Sequence, residues 1–219
     1  KKNLKLPNFF ASLRRIIMNK TAIIIPSRLD AQRLPNKPLK LINNKEMILH
    51  VYEAAKKSNA GEVYVATPDK AIFELVSNYG GKAVLSSETH NTGTDRIFEV
   101  FKNTLKSLPN IIVNLQGDMP NIEPKIIKNL INYMQQGKCE VGTLASEIKN
   151  NFELEDENIV KVLVKEKLKE GIISEALDFL RVNPGQNHKT YHHVGIYAFT
   201  SIALTKYVSL KRSKLELNR

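Results

Sequence analysis

The feature that most limits what this chain can fold into is an alternation running from residue 21 to residue 134. Short apolar runs of strand length occur at Ala22–Ile25, Glu62–Thr67, Lys82–Leu85 and Ile111–Leu115. Between and after them lie segments whose apolar residues recur at helical spacing. Glu46–Ser58 carries Met47, Ile48, Val51, Tyr52 and Ala55. Pro68-Asp69 opens a helix to Tyr79, with Ile72, Phe73, Leu75 and Val76 facing inward, and Gly80-Gly81 ends it. Further helices are predicted over Thr94–Leu105 and over Pro124–Met134, the latter with Ile126, Ile127, Leu130 and Ile131 as its apolar face. Strand–helix alternation of this kind requires right-handed crossovers and a mainly parallel sheet. Later strand-like runs, Val141–Ala145, Val160–Val164 and His193–Phe199, are less regularly spaced and predict a mixed sheet with a projecting hairpin. The fold class expected is α/β, a Rossmann-like mixed sheet between helices.

Length and charge narrow the function. The 219 residues suit one domain, or one domain with a small appendage. No stretch of about 18 apolar residues occurs, so no transmembrane helix and no membrane partner are expected. The single cysteine, Cys139, excludes an internal disulfide and fits a reducing compartment. The net charge is +11, but Lys1, Lys2, Lys5, Arg14 and Arg15 supply nearly half of it within the acid-free residues 1–17. That stretch superficially suggests a targeting peptide. Met18-Asn-Lys-Thr places a plausible start just before the first strand, so residues 1–17 are expected to be an extension, disordered or loosely helical, ahead of a functional domain over 18–219. Zinc-finger spacing, RNP motifs and aromatic-basic stripes are absent from the sequence, so nucleic acid is not the expected partner.

Three stretches carry chemistry. The first follows the first strand: Pro26-Ser-Arg-Leu-Asp-Ala-Gln-Arg-Leu-Pro-Asn-Lys-Pro-Leu39. It displays Arg28, Arg33 and Lys37, with Asp30 as the only acid, and Pro35 and Pro38 stiffen its far end. Read singly, each cation is a solvated surface charge. Together, at the C-terminal end of a buried strand where open α/β sheets bind ligands, they suit a polyphosphate. The second is Gln116-Gly-Asp118, at the end of the most apolar run. A carboxylate there can hold a hard divalent cation against phosphate oxygens, or can simply form a turn with its own backbone. The third is His90-Asn-Thr-Gly-Thr-Asp-Arg96. Gly93 permits a tight backbone, Thr94 can cap the next helix, and Arg96 falls in a first turn where a cation opposes the helix dipole. His90 by itself reads as a surface histidine. Neither G-x-x-x-x-G-K-[ST] nor G-x-G-x-x-G occurs, and Gly80-Gly-Lys82 stands between helix and strand, the reverse of a phosphate loop.

The first stretch resembles the P-A-R-x-x-S-x-R-L-P-x-K-P-L signature of the CMP-sugar synthetases, most closely the Kdo (3-deoxy-manno-octulosonate) cytidylyltransferases among them, with Ser27 in place of Ala and Gln32 in place of Ser. Gln116-Gly-Asp-Met-Pro120 resembles their Q-G-D-E-P, Met119 replacing Glu, and Thr92-Gly-Thr-Asp-Arg96 resembles S-G-T-E/D-R. Ala176-Leu-Asp-Phe-Leu-Arg181 resembles A-L-Y-F-S-R, with Asp178 and Leu180 as departures. His193, Gly195 and Tyr197, which share one face of a strand, resemble H-x-G-I-Y, and Lys214-Leu-Glu216 resembles the start of S-P-L-E.

The resemblance implies transfer of CMP from CTP to Kdo for lipopolysaccharide synthesis, by a cytoplasmic homodimer whose interface lies around residues 181–199. It implies nucleotide contacts at Arg28, Arg33, Lys37, Thr94 and Gln116, sugar contacts at Arg96, Arg181, His193, Tyr197 and Glu216, and Mg²⁺ on Asp118. Arg28, Lys37 and Asp118 would be the catalytic residues. It extends from about residue 20 to residue 219, whereas family members continue to a V-D-T-P-x-D-L motif whose first Asp is a second metal ligand. The sequence stops short of that motif, so the expectation is a truncated chain or a fragment. A sialic-acid cytidylyltransferase, and a non-catalytic nucleotide-binding remnant, are the competing expectations.

Overall fold

The computed structural model describes residues 20–30, 34–87, 89–90, 92–105, 108–169, 171–185 and 189–213. The expected leader over 1–17, Arg33 and Glu216 lie outside the described residues. The chain divides into two compact units: one within 1–142 and 197–219, the other over Thr143–Ile196.

The first unit is built on four parallel strands in the order β5-β4-β1-β6, namely β5 (Lys82–Leu85), β4 (Glu62–Thr67), β1 (Thr21–Pro26) and β6 (Ile111–Asn114). Residues Tyr197–Thr200, the end of β10 (Thr190–Thr200), pair antiparallel with β6 and make this sheet mixed. Every residue of β1 and β6 is buried, as a central parallel strand with helices on both faces requires. Ala22, Ile24 and Ile112 pack with Ile97, Val100 and Phe101 of α3 (Gly93–Asn103) and Leu204 of α6 (Ser201–Ser209). α1 (Met47–Lys57) packs against β4 and against α4 (Pro124–Met134). α2 (Lys70–Asn78) packs on β4 and β5. The expected alternation is therefore present, with a Rossmann-like mixed sheet between helices.

Local chemistry explains the element ends. Gly80 adopts φ of 80° after α2, and Gly81 N–H donates to Val76 O at 2.8 Å, the glycine-dependent stop anticipated from the sequence. Asn43 and Asn44, at φ of 47° and 61°, turn a two-residue hairpin between β2 (Leu41–Ile42) and β3 (Lys45–Glu46). Two expectations are corrected. The cap of α3 is Thr92, not Thr94: Thr92 Oγ1 accepts from Asp95 N–H at 3.1 Å, and the Asp95 carboxylate accepts from Thr92 N–H, a reciprocal capping box. In α4 the buried face is Ile127, Leu130, Ile131 and Met134, while Ile126 is exposed, because the face advances along i, i+3, i+4, i+7 from Ile127.

The second unit pairs β8 (Lys161–Val164) with β9 (Ala176–Leu180) and with the start of β10, both antiparallel. β7 (Val141–Ser146) pairs with β10, and α5 (Asn151–Glu155) is capped by the Asn150 side chain. The unit's small core is Val162, Val164 and Tyr191, with Ala145, Leu168 and Phe179 against it.

Candidate active site

In the first unit, the C-terminal ends of β1 and β6 deliver the two stretches singled out in the sequence to one edge. Ser27, directly after β1, donates its N–H to Ala66 O at 2.9 Å, extending the ladder by one residue before the chain turns away. The turn after β6 presses against it: a Cβ on Gly117 would lie 3.1 Å from Pro26 O and 3.5 Å from Ser27 Oγ. The start of α3 approaches the same place, since a Cβ on Gly93 would lie 3.1 Å from Pro26 Cγ and 3.7 Å from Gln116 Oε1. Glycine at both positions is what lets three backbone segments meet.

The cationic loop is held from several sides. Leu29 N–H donates to Asp69 Oδ2 at 2.8 Å, from the residue preceding α2. Asn36 N–H donates to Leu29 O at 3.3 Å and closes the loop on itself. Lys37–Leu39 then forms a single 3-10 turn with Pro38 buried. This turn presents Lys37, whose Nζ donates to Asp118 Oδ2 at 2.6 Å. Two residues placed in the site from separate sequence motifs, 81 positions apart, are thus in direct contact. Their side chains are 34% and 51% exposed, so both charges remain accessible to a ligand arriving from solvent. Arg28 is exposed on the same loop.

Behind this edge runs a polar chain. Gln116 Nε2 donates to Asn114 Oδ1 at 3.0 Å, and Asn114 Nδ2 donates to Thr94 Oγ1 at 3.2 Å. Thr94 therefore meets Asn114 instead of capping its helix. Asn114 is buried, lies opposite Tyr197 in the β6–β10 ladder, and joins two of the predicted nucleotide residues to one of the predicted sugar residues. Tyr197 stacks on Phe199, two positions along the same strand face, with ring centroids 6.0 Å apart, and burial raises its phenol pKa above the ordinary value.

Arg96 is 3% exposed, and its guanidinium donates to Ser86 Oγ and, at 2.9 Å, to Ser87 O. Burial pushes its pKa down, and the Arg28 charge adds to this. The unfavourable cation in a first helical turn is thus engaged in holding the loop after β5. Glu99 grips the same loop from one turn further along α3, accepting from Ser87 N–H at 3.0 Å and pairing with His90 Nε2. His90 is half-buried and has this structural partner.

The second unit holds Arg181 and His193. Arg181 is exposed; its Nη1 donates to Glu157 O at 3.0 Å, and its own carbonyl accepts from Lys161 Nζ at 2.8 Å. His193 Nε2 lies 2.9 Å from Thr143 Oγ1, and its ring meets Phe179 edge-on at 4.9 Å. The Thr143 proton goes to Ile196 O at 2.7 Å, so the imidazole is the donor to the hydroxyl. Burial, with a smaller contribution from His192, pulls the His193 pKa down to about 4, and the ring is neutral at pH 7.

A family model described as cytidylyltransferase matches residues 22–219. The chain belongs to the cytidylyltransferase family. The 3-deoxy-manno-octulosonate cytidylyltransferases of Brucella anthropi and of Thermodesulfovibrio yellowstonii are each 37% identical to it, over 90% of this chain and 80% and 81% of theirs. A solved structure of CMP:2-keto-3-deoxy-manno-octonic acid synthetase complexed with CTP superposes with a TM-score of 0.81 at 35% identity, covering 91% of this chain and 81% of that one. A 4-diphosphocytidyl-2C-methyl-D-erythritol synthase from Anaerococcus prevotii, 12% identical with a TM-score of 0.59 over 89% and 79% of the two chains, shares the fold.

Two residues of this cytidylyltransferase's edge, Asp69 and Asn114, were given no role in the site by sequence reasoning, and Ser27 was noted only as a departure from the family's Ala. Asp69 was taken only as a helix start, yet its carboxylate anchors the cationic loop. Asn114 was read as part of an apolar strand. Ser27 has a buried hydroxyl with no hydrogen-bond partner among the described residues. The detectable signal was a polar residue at the end of an otherwise apolar strand, at Asn114.

Proposed function

We propose that this cytidylyltransferase transfers CMP from CTP to Kdo and releases pyrophosphate, with Asp118 as the residue that holds Mg²⁺. The observation carrying this reading is the Lys37–Asp118 contact, which gathers a phosphate-binding cation and a metal-binding carboxylate at the strand edge. Among the described residues no group of three or more His, Cys, Asp or Glu side chains gathers around a metal position. One half-exposed carboxylate nevertheless fits magnesium, which is commonly held by one or two carboxylates together with substrate phosphates and water. When bound, the ion supplies charge neutralisation at the α-phosphate and lowers the pKa of a coordinated hydroxyl.

The reaction is an in-line displacement. The sugar's anomeric oxygen forms a bond to the α-phosphorus, the bond to the bridging oxygen breaks, pyrophosphate carries away the electron pair, and the hydroxyl proton passes to solvent. Arg28, Arg33 and Lys37 bind the triphosphate and stabilise the charge that accumulates on the leaving pyrophosphate. Thr94 and Gln116, braced by Asn114, orient the nucleoside. The sugar contacts carried by the resemblance are Arg96, Arg181, His193, Tyr197 and Glu216, of which the exposed Arg181 suits the sugar carboxylate. A neutral His193 serves as a hydrogen-bonding group there and not as a second cation.

The same reading makes the protein a cytoplasmic homodimer that supplies an activated sugar for lipopolysaccharide assembly. No helix among the described residues is long and apolar enough to cross a membrane. Replacing Arg28 by Ala tests the phosphate assignment: the KM for CTP should rise on the order of tenfold or more, the worth of a lost charge-assisted contact. An unchanged KM for CTP would remove the cationic loop from the site.

A further inference from the structure

Lys161 is fully buried, at 0% exposure, and among the described residues its ammonium hydrogen-bonds no carboxylate, the Asp156 side chain feeling its charge only at longer range. Lysine is seldom buried completely unless paired, because removing its charge from water is costly. Its Nζ instead donates to two backbone carbonyls, Asp156 O at 2.6 Å and Arg181 O at 2.8 Å. These lie on different connections, one leading into β8 and one leaving β9. Arg181 reaches back across the same gap, donating its guanidinium to Glu157 O at 3.0 Å. The side chain of Lys161 and the side chain of Arg181 therefore lock together the same two backbone segments.

The strand register sharpens this. Lys161 is paired with Leu180 on β9 and with His192 on β10. Each partner immediately precedes a residue assigned to the sugar, Arg181 and His193. On the other side, His193 N–H donates to Val160 O at 2.9 Å. Lys161 thus opens the central strand of three, and its ammonium ties the segment leaving β9, and with it Arg181, to the segment before β8.

We infer that Lys161 is a positioning residue for recognition of the acidic sugar, acting by fixing the Arg181 peptide and the Asp156–Glu157 carbonyls against which the Arg181 guanidinium rests. It touches no reacting atom. The inference rests on Arg181 being the arginine that meets the sugar carboxylate. Without the ammonium, two carbonyls lose their shared donor and the Arg181 peptide is no longer tied to the segment before β8.

A double-mutant cycle with Lys161→Met and Arg181→Ala tests this by steady-state kinetics with CTP and Kdo. Lys161→Met should raise the KM for Kdo by on the order of tenfold or more, the worth of a hydrogen bond to a charged group, with the KM for CTP unchanged. The double variant should be no worse than Arg181→Ala alone. An unchanged KM for Kdo in Lys161→Met, a fall in kcat with both KM values unchanged, or additive effects would each overturn the inference. If Arg181→Ala alone leaves the KM for Kdo unchanged, the assignment of Arg181 itself fails, and the inference with it. Should Lys161→Met not fold, Lys161→Gln, which keeps amide donors on a shorter stem, replaces it in the same cycle and is judged by the same outcomes.

Discussion

Replacing Asp118 by Asn separates two roles that its position could serve, a structural ion pair or a ligand for the metal. As an ion pair, its partner is Lys37 at 2.6 Å, with side chains 34% and 51% exposed. Pairs this open to solvent are screened and contribute about 0–1 kcal/mol to folding. Asparagine keeps the shape and can still accept from Lys37, so the thermal midpoint should fall by no more than about 3 °C for a chain of this size. Catalysis should respond on a different scale. If the carboxylate positions magnesium against the α-phosphate, its loss removes several kcal/mol of transition-state stabilisation, a drop on the order of 10²–10³-fold in kcat/KM. The magnesium concentration giving half-maximal rate should rise as well. The assay is pyrophosphate release across a magnesium titration, set beside a thermal melt of each protein. An Asn variant that keeps both its rate and its magnesium dependence would refute the assignment. A large fall in melting temperature with little loss of rate would make Asp118 structural.

Three further outcomes follow from single contacts. Ser27→Ala removes a buried hydroxyl that has no partner among the described residues; it should stabilise the protein by about 1 kcal/mol in denaturant melts, and a destabilised variant would show that the hydroxyl is engaged. Asp69→Ala removes the acceptor for Leu29 N–H and should raise the KM for CTP by about tenfold through loosening of the cationic loop, whereas an unchanged KM would mean the loop is held by its other contacts. The pKa of His193 is depressed to about 4 from an ordinary 6.5, so its contribution to stability is complete above pH 6.5 and is lost as pH falls from 6.5 towards 4. His193→Gln should flatten that part of the stability–pH profile, and an NMR titration of the ring near 6.5 would contradict the burial argument.

The parts legible in the sequence were those where burial is two-sided or a turn has a single chemical solution. β1, β4, β5 and β6 lie where their apolar runs stand; β1 and β6, buried throughout, are unbroken apolar runs because a parallel strand covered on both faces needs one, while β4 and β5 have the expected bounds although β5 is a partly exposed edge strand. Gly80 stops α2 because only a residue tolerant of positive φ fits there. β9 went unread: Leu177 is 61% exposed and Ala176 and Asp178 are also on the surface, so no alternation marks the strand. α6 also went unread, its buried residues being only Ala203 and Leu204. The site divides in the same way. Cations and an acid following buried strands were readable, since strand direction alone brings Lys37 and Asp118 to one edge. The supports were not. Asp69, Asn114 and Lys161 act through partners distant in sequence, or through backbone carbonyls that carry no residue-type signal. Arg96 was noticed for its clash with the helix dipole, but the sequence could not show that its guanidinium is bonded to Ser86 and Ser87.

The central claim is most directly tested by measuring pyrophosphate release from CTP and Mg²⁺ with Kdo, with sialic acid, and with no sugar. Pyrophosphate should be released with Kdo and with neither of the other two. Release with sialic acid in place of Kdo, or equal release without any sugar, would contradict it.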